Sequence, residues 1–115
     1  MQGKYTAQRI AEALAPVRAD VALALVAHIY GVETKTLRLA TRGNPRAALA
    51  RQVAMYLCHV VHHMRISLIG DAFGRNRSTA AHAVKHIEEM RDDPDVDRVL
   101  LQLEVMLRKS ERNAA

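Results

Sequence analysis

The chain has 115 residues, half of them hydrophobic but only four aromatic, which fits one domain with a modest aliphatic core. No stretch comes near the roughly 18 uncharged apolar residues of a transmembrane span, and charges throughout the N-terminus exclude a secretory signal. Cys58 is the single cysteine, which excludes an internal disulfide and is compatible with a reducing cytoplasm. Without an apolar span, we also expect no membrane partner.

The positive charge is concentrated in the middle of the chain. The formal net charge is +5, but Lys35–Arg91 contains ten Lys/Arg and three Asp/Glu, a balance of +7, and the remainder has a balance of −2. A basic centre within a mildly acidic frame favours a polyanionic partner, so we expect a nucleoid-associated protein. An ordinary solvated surface is the alternative.

Apolar periodicity and helix-boundary residues predict an all-α domain of about six helices and no strand. Gly31 and Gly74 suit chain reversals, and Asp93 is the expected N-cap of the last helix. Residues 111–115 are predicted to form a frayed tail. In chain order the predicted helical segments are seven when the interruption at Pro16 is counted as a break, and a loop covers Thr41–Asn44. The segments are Thr6–Ala15, Val17–Tyr30, Glu33–Ala40, Pro45–His63, Ile66–Phe73, Arg77–Arg91 and the one that begins at Pro94.

The segment Ile66–Glu89 has the pattern of a helix-turn-helix. Its first helix is short, Gly74 allows a sharp turn, and either Asn76 or Ser78 can cap the second helix. An αα-hairpin with a basic corner is the alternative. The apolar inner face is predicted from Ile66, Ile69, Ala72 and Phe73 in the first helix and from Ala80/Ala81, Val84, Ile87 and Met90 in the second.

The start of the second helix carries the side chains that suit a DNA groove. Arg and Asn match guanine and adenine edges, and a helix N-terminus suits phosphate. The base-reading candidates are Asn76, Arg77 and Ser78. The phosphate-binding candidates are Arg46, Arg51, Arg75, Thr79 and Lys85. Small outward residues such as Ala81 would permit close approach.

The remaining polar patterns predict no metal site and no enzyme chemistry, and the expected role of the histidines is polar surface or phosphate contact. His59, His62 and His63 share one predicted helix, and His82 and His86 another, but no carboxylate or second thiol completes a tetrahedral metal set. Nucleotide-binding, serine-hydrolase and zinc-protease motifs are absent. We therefore expect no enzyme activity, no catalytic residues, no cofactor and no metal.

Several motifs occur in the order found in one bacterial family. The run ARQVAMYL at Ala50–Leu57, then IGDAFG at Ile69–Gly74, then Ser78-Thr79 and His82-Ala83, resembles the C-terminal DNA-binding domain (domain IV) of the chromosomal replication initiator DnaA. The resemblance covers about residues 21–108. It implies a Trp-repressor-like helical fold with a basic loop and a helix-turn-helix, preceded here by a helical extension over residues 1–20. The predicted domain covers residues 21–110.

The chain departs from the family where the family reads DNA. The family pattern G-G-R-D-H-T-T uses its Asp-His-Thr stretch to read bases, and here one glycine is missing and Asn76, Arg77 and Ser78 occupy those places. In the basic loop, only Arg51 matches the family's Arg-Pro-Arg-Gln, and Arg46 is the candidate to replace the missing arginine. The resemblance implies DNA binding with a sequence preference of its own.

We therefore predict a free-standing, sequence-specific double-stranded DNA-binding protein without an ATPase module, acting as a transcription or replication-initiation regulator. The alternative is a protein-interaction module acting on the replication or transcription machinery. A homodimer is a further possibility, with Leu101 and Val105 either in a partner face or against the N-terminal helix.

Overall fold

A computed structural model describes residues 2–39 and 44–114, and these residues form six helices and no strand. The all-α prediction is confirmed. No helix of the described residues is long and apolar enough to cross a membrane. The helices are α1 (Gln2–Tyr30), α2 (Thr34–Arg38), α3 (Pro45–His62), α4 (Ile66–Phe73), α5 (Arg77–Met90) and α6 (Pro94–Ala114).

Helix α3 lies at the centre and contacts each of the other five helices. Pro45 occupies its first turn, and the side chain of the N-cap Asn44 accepts a hydrogen bond from the Ala47 amide at 3.1 Å. A helix that is apolar on most sides must be surrounded by other elements. Its buried residues are Ala47, Ala50, Val53, Ala54, Met55, Tyr56, Leu57, Cys58 and Val61.

Pro16 does not interrupt the first helix, so the prediction of two separate helices is wrong. Helix α1 runs without a break for 29 residues with Pro16 inside it. A proline removes one backbone hydrogen bond, here the one to the carbonyl of Glu12. Both residues are exposed, so water can bind that carbonyl, and packing of Ala15, Ala19 and Leu23 in the core holds the helix on both sides.

The other boundaries shift by a few residues. Helix α2 is shorter than predicted, with Glu33 as its N-cap, and Ala40 and Thr41–Gly43 of the predicted helix and loop lie outside the described residues. His63 ends α3 in a left-handed conformation with φ 56°. Helix α6 continues to Ala114, where the sequence predicted a frayed tail from residue 111. Asp93 accepts a hydrogen bond from the Asp95 amide at 2.9 Å, as an N-cap does.

An ionic cluster fixes the end of α5 against α3 and α6. The Arg91 guanidinium donates to Asp97 Oδ1 at 2.6 Å, to Glu104 Oε2 at 2.7 Å and to the Tyr56 hydroxyl at 2.9 Å. Burial by itself lowers the pKa of Arg91, but these three hydrogen bonds outweigh burial and raise it. The cluster therefore holds a charged arginine beside the 7% exposed Glu104, and it fixes the direction in which α5 leaves the core.

Candidate nucleic-acid interface

The turn between α4 and α5 is closed by two backbone hydrogen bonds. Gly74 is left-handed with φ 66°, its amide donates to the Asp71 carbonyl at 3.2 Å, and the Arg75 amide donates to the Gly70 carbonyl at 2.8 Å. This is the Schellman arrangement that ends many helices. The two helices are in contact, so Ile66–Met90 forms the predicted helix-turn-helix.

Gly70 allows the chain to pass close to α4 after the turn. A Cβ atom at this position would lie 2.9 Å from the Arg75 carbonyl oxygen and 3.2 Å from that of Asn76. Both atoms belong to the backbone and cannot rotate away. Sequence reasoning assigned no role to Gly70, because a steric requirement between residues five and six positions apart has no local sequence signal.

Asn76 is the N-cap of α5, which resolves the choice between Asn76 and Ser78. Its Oδ1 atom accepts hydrogen bonds from the Thr79 amide at 2.8 Å and from the Ser78 hydroxyl at 2.8 Å. The amide oxygen of Asn76 is thus committed to the helix, and only its NH2 group remains to meet another molecule. The sequence offered Asn76 separately as a helix cap and as a base-reading residue, and the cap uses the amide oxygen that base reading would also need.

The exposed face of α5 carries the predicted contact residues. Ala80, Ala83, Val84 and Ile87 are buried, so Ala80 and not Ala81 belongs to the inner stripe. On the outer side, Arg77 and Lys85 are exposed and have no hydrogen-bond or ion-pair partner among the described residues. The exposed residues of the first two turns, in order, are Arg77, Ser78, Thr79, Ala81 and His82, followed by Lys85.

Arg51 links the N-terminal half of α3 to the segment before it. Its Nη1 atom donates to the carbonyl oxygens of Leu37 at 2.9 Å and Leu39 at 3.1 Å. Burial lowers the pKa of Arg51, and the positive charge of Arg75 lowers it further. Arg51 and Arg75 are therefore close enough for their charges to repel each other, although they are far apart in sequence.

The other two predicted phosphate contacts have partners within the protein. Arg46 Nη2 donates to the Tyr30 carbonyl oxygen at 2.6 Å, at the C-terminal end of α1. Arg75 Nη1 lies 3.4 Å from the Gly74 carbonyl oxygen, and its Nη2 atom is buried without a hydrogen-bond partner among the described residues. Both arginines thus help to hold the backbone near the interface, a role that the sequence pattern did not indicate.

The histidines are distributed over separate environments. His59 lies 3.0 Å from the Met64 carbonyl oxygen, the His62 side chain is buried, and the rings of His82 and His86 stack on the exposed side of α5 with centroids 6.0 Å apart. The described residues contain no group of three or more His, Cys, Asp or Glu side chains placed to share a metal ion. His82 lies on the outer face of α5 beside Lys85, although it was not among the named base-reading and phosphate-binding candidates.

The fold and the exposed helix start define a class: an all-α helix-turn-helix domain of the DNA-binding kind. Residues 20–87 match the family model described as the bacterial dnaA protein helix-turn-helix, which covers more than half of the chain. The chain therefore belongs to the bacterial DnaA helix-turn-helix family, and the resemblance inferred from its motifs is confirmed.

Curated relatives of the chain are named as chromosomal replication initiator proteins. The chain is 41% identical over 85 residues to the chromosomal replication initiator protein DnaA of Laribacter hongkongensis, covering 72% of this chain and 18% of that protein. It is 41% identical over 64 residues to DnaA 1 of Protochlamydia amoebophila, covering 56% of this chain and 14% of the relative. The chain thus spans less than a fifth of the length of these relatives.

A solved structure shares the fold. The crystal structure of a DNA replication initiation factor matches 95% of this chain and 36% of its own, with a TM-score of 0.80 and 24% sequence identity.

Proposed function

We propose that the chain binds double-stranded DNA with the N-terminal end of α5 in the major groove. The observation that carries the proposal is the exposed Arg77 side chain, which has no partner in the part of the chain that the structure describes and stands at the first position of a helix whose inner face is buried against α3 and α4. Arg77 and Ser78 are the proposed base-reading residues, with the NH2 group of Asn76 beside them. An arginine at this position can donate two hydrogen bonds to a guanine edge.

Phosphate contacts are proposed for the residues around that helix start. Thr79 and Lys85 lie on or beside the exposed face of α5, and Arg75 and Arg51 place two positive charges next to the turn. Arg46 would act from the first turn of α3. Such contacts fix the position of a protein on the duplex but carry no sequence information.

Base reading is tested by selecting a preferred site from a random duplex pool and titrating it with the Arg77→Ala variant. We expect a loss of roughly 1–3 kcal/mol on the preferred site, which is about 5- to 150-fold in Kd, and a smaller loss on random duplex. Arg112→Ala is the matched control, because it removes the same charge from the exposed far end of α6. Equal losses on both duplexes for Arg77→Ala would contradict base reading.

The biological role that we propose is regulation of replication initiation or transcription. The support is that the relatives are named as chromosomal replication initiators. Salt dependence separates DNA binding from the alternative, in which the chain is a protein-interaction module. Binding through several arginines and lysines should weaken by orders of magnitude between about 50 and 200 mM salt, whereas binding through an apolar protein interface should change little.

A further inference from the structure

A cavity lies where the end of α1, the N-terminal half of α3, the end of α5 and the start of α6 meet, and we call it the apolar cavity. Its volume is about 330 Å³. Three of the residues that line it, Val53, Ile87 and Leu100, are each at most 3% exposed. Val99 also lines it and is 46% exposed. The apolar cavity therefore reaches into the core and opens to solvent along α6.

The size and lining of the apolar cavity are those of a site for a small molecule. Such sites have volumes of about 300–1,000 Å³ and walls that are mostly apolar, with a few polar groups that orient the ligand. An apolar cavity of about 150 Å³ is already large enough to hold benzene. The apolar cavity can therefore hold one ring, or a branched aliphatic group of similar size, together with a short chain.

Tyr30 supplies one of the polar groups in the lining. Its hydroxyl makes no hydrogen bond to another described residue. Burial raises the pKa of Tyr30, and the positive charge of Arg46 opposes that shift. The hydroxyl therefore stays protonated at neutral pH and can both donate and accept a hydrogen bond from a ligand.

Asp95 supplies the charge. Among the described residues that line the apolar cavity it is the one charged side chain, and none of them is a lysine or an arginine. Its carboxylate is 84% exposed and lies 3.1 Å from Arg98, in an exposed ion pair of the kind that contributes little to stability. Residues 91–98 contain four Asp and two Arg, a balance of −2. A cation can therefore approach Asp95 through a region that carries no excess of positive charge.

We propose that the apolar cavity binds a small molecule that combines an apolar ring or branched chain with a positively charged amine. The apolar part would lie against Val53 and Ile87, where burial removes its surface from water. The amine would lie beside the Asp95 carboxylate, and Tyr30 offers a further hydrogen bond. An anionic ligand of the same shape would meet the carboxylate and be repelled.

This site is separate from the proposed DNA-binding surface. Ile87 and Met90 line the apolar cavity from the last turns of α5, and Arg77 begins that helix. Ten residues of α-helix separate Ile87 from Arg77, which is roughly 15 Å along the helix axis. The proposal therefore goes beyond DNA binding, and it can be tested without DNA.

Three probes with a shared phenylethyl group test the class of ligand. Phenethylamine is cationic at neutral pH, phenethyl alcohol is neutral and hydrocinnamate is anionic. Each is titrated into the purified chain, and the methyl signals of Val53, Ile87 and Val99 in NMR spectra report affinity and location. We expect saturable binding at these methyl groups. Phenethylamine should bind about two- to fivefold more tightly than phenethyl alcohol, the effect of one exposed ion pair, and hydrocinnamate should bind most weakly.

Two pairs of variants assign the effect to the apolar cavity. Asp95→Asn should remove the preference for the amine, and Asp71→Asn, which removes an exposed carboxylate from α4, should keep it. Val99→Phe should fill the opening and abolish binding of all three probes. Leu101→Phe changes a similarly exposed position of α6 outside the lining and should bind like the parent.

The outcomes that would overturn the proposal are equally definite. They are no saturable binding to the parent chain, equal affinity for the amine and the alcohol, an amine preference that survives Asp95→Asn, and full binding by Val99→Phe. Circular dichroism confirms that each variant is folded, which is expected because each changes an exposed position. None of these outcomes bears on DNA binding, which would stand or fall by its own titrations.

Discussion

Asn76 contributes to the interface through the helix that it caps. Its amide oxygen satisfies the Thr79 amide at the start of α5, and an N-cap of this kind stabilises a protein by about 1 kcal/mol. We expect Asn76→Ala to lower the free energy of unfolding by that amount and to weaken DNA binding, because Arg77 then stands on a less ordered turn. Urea denaturation and duplex titration measure the two effects.

Asn76→Ser is the matched control for the cap. Serine can accept the same hydrogen bond from the Thr79 amide, so stability should be close to that of the parent. If DNA binding is also preserved in Asn76→Ser, Asn76 acts by positioning the helix. If the variant is stable but binds as weakly as Asn76→Ala, the NH2 group of Asn76 contacts DNA directly.

The sequence is sufficient to predict which side chains of the site are exposed, but not which groups of the protein its arginines bind. Helical periodicity alone placed Arg77, Ser78 and Lys85 on the outer face of α5. In contrast, Arg46 and Arg51 bind carbonyl oxygens 12 to 16 residues away, at the ends of α1 and α2. No local pattern specifies those carbonyls, because their positions depend on how three helices pack together.

At the scale of the elements, the sequence predicts the end of a helix correctly where neighbouring residues alone determine it. Helix α4 has the predicted bounds, since Gly74 adopts the left-handed conformation that ends a helix at little cost. Helix α1 does not follow the local rule. Pro16 costs roughly 3 kcal/mol in a helix interior, and burial of the inner face of α1 offsets that cost. The sequence pattern around one proline does not contain that contribution.

The turn of the helix-turn-helix depends on the missing side chain of Gly70. We expect Gly70→Ala to destabilise the protein by about 1–3 kcal/mol and to weaken DNA binding, because its Cβ atom would lie 2.9 Å from the Arg75 carbonyl oxygen. Gly31→Ala is the control, since a Cβ atom there meets nothing within 4 Å and only the strain of its positive φ remains. Gly31→Ala should leave DNA affinity unchanged. Full affinity in Gly70→Ala would show that the turn tolerates the displacement.

The contact of α3 with α1 and α6 should weaken in acid because of His62. Burial lowers the pKa of His62 below its usual 6.5, with Arg18 and His63 acting in the same direction and Glu111 opposing it. The folded state therefore holds the neutral ring, and the unfolded state binds the proton more readily. Stability from this group is complete above about pH 6.5 and decreases as the pH falls toward the folded pKa. Urea midpoints at several pH values should fall less steeply in His62→Leu than in the parent chain, and equal slopes would contradict the prediction.

For the whole molecule, the distribution of charge is more informative than its total. The middle of the chain carries a balance of +7, but the structure uses several of these cations within the fold: Arg38 pairs with Asp20, Arg65 with Glu12, and Arg91 with Asp97 and Glu104. The net charge of the middle region therefore indicated a polyanionic partner, but it did not identify which basic residues are available to bind that partner. Arg77 and Lys85, which have no ion-pair partner within residues 2–39 and 44–114, concentrate that capacity on α5.

The cluster around Arg91 links the end of α5 to both α3 and α6. Removing the arginine leaves Glu104, within the described part of the chain, with only a long contact to Arg108 at 3.6 Å, and the glutamate side chain is 9% exposed. An uncompensated buried charge is strongly destabilising, so we expect Arg91→Ala to lower the free energy of unfolding by roughly 3 kcal/mol. Arg98→Ala is the control, because it breaks an exposed pair with Asp95 at 3.1 Å and should cost less than about 0.5 kcal/mol.

Adding Glu104→Gln to Arg91→Ala should recover part of the loss, since it removes the unpaired charge. If the double variant is no more stable than Arg91→Ala, the contribution of Arg91 comes from its contacts with Tyr56 and Asp97 and not from neutralising the charge of Glu104.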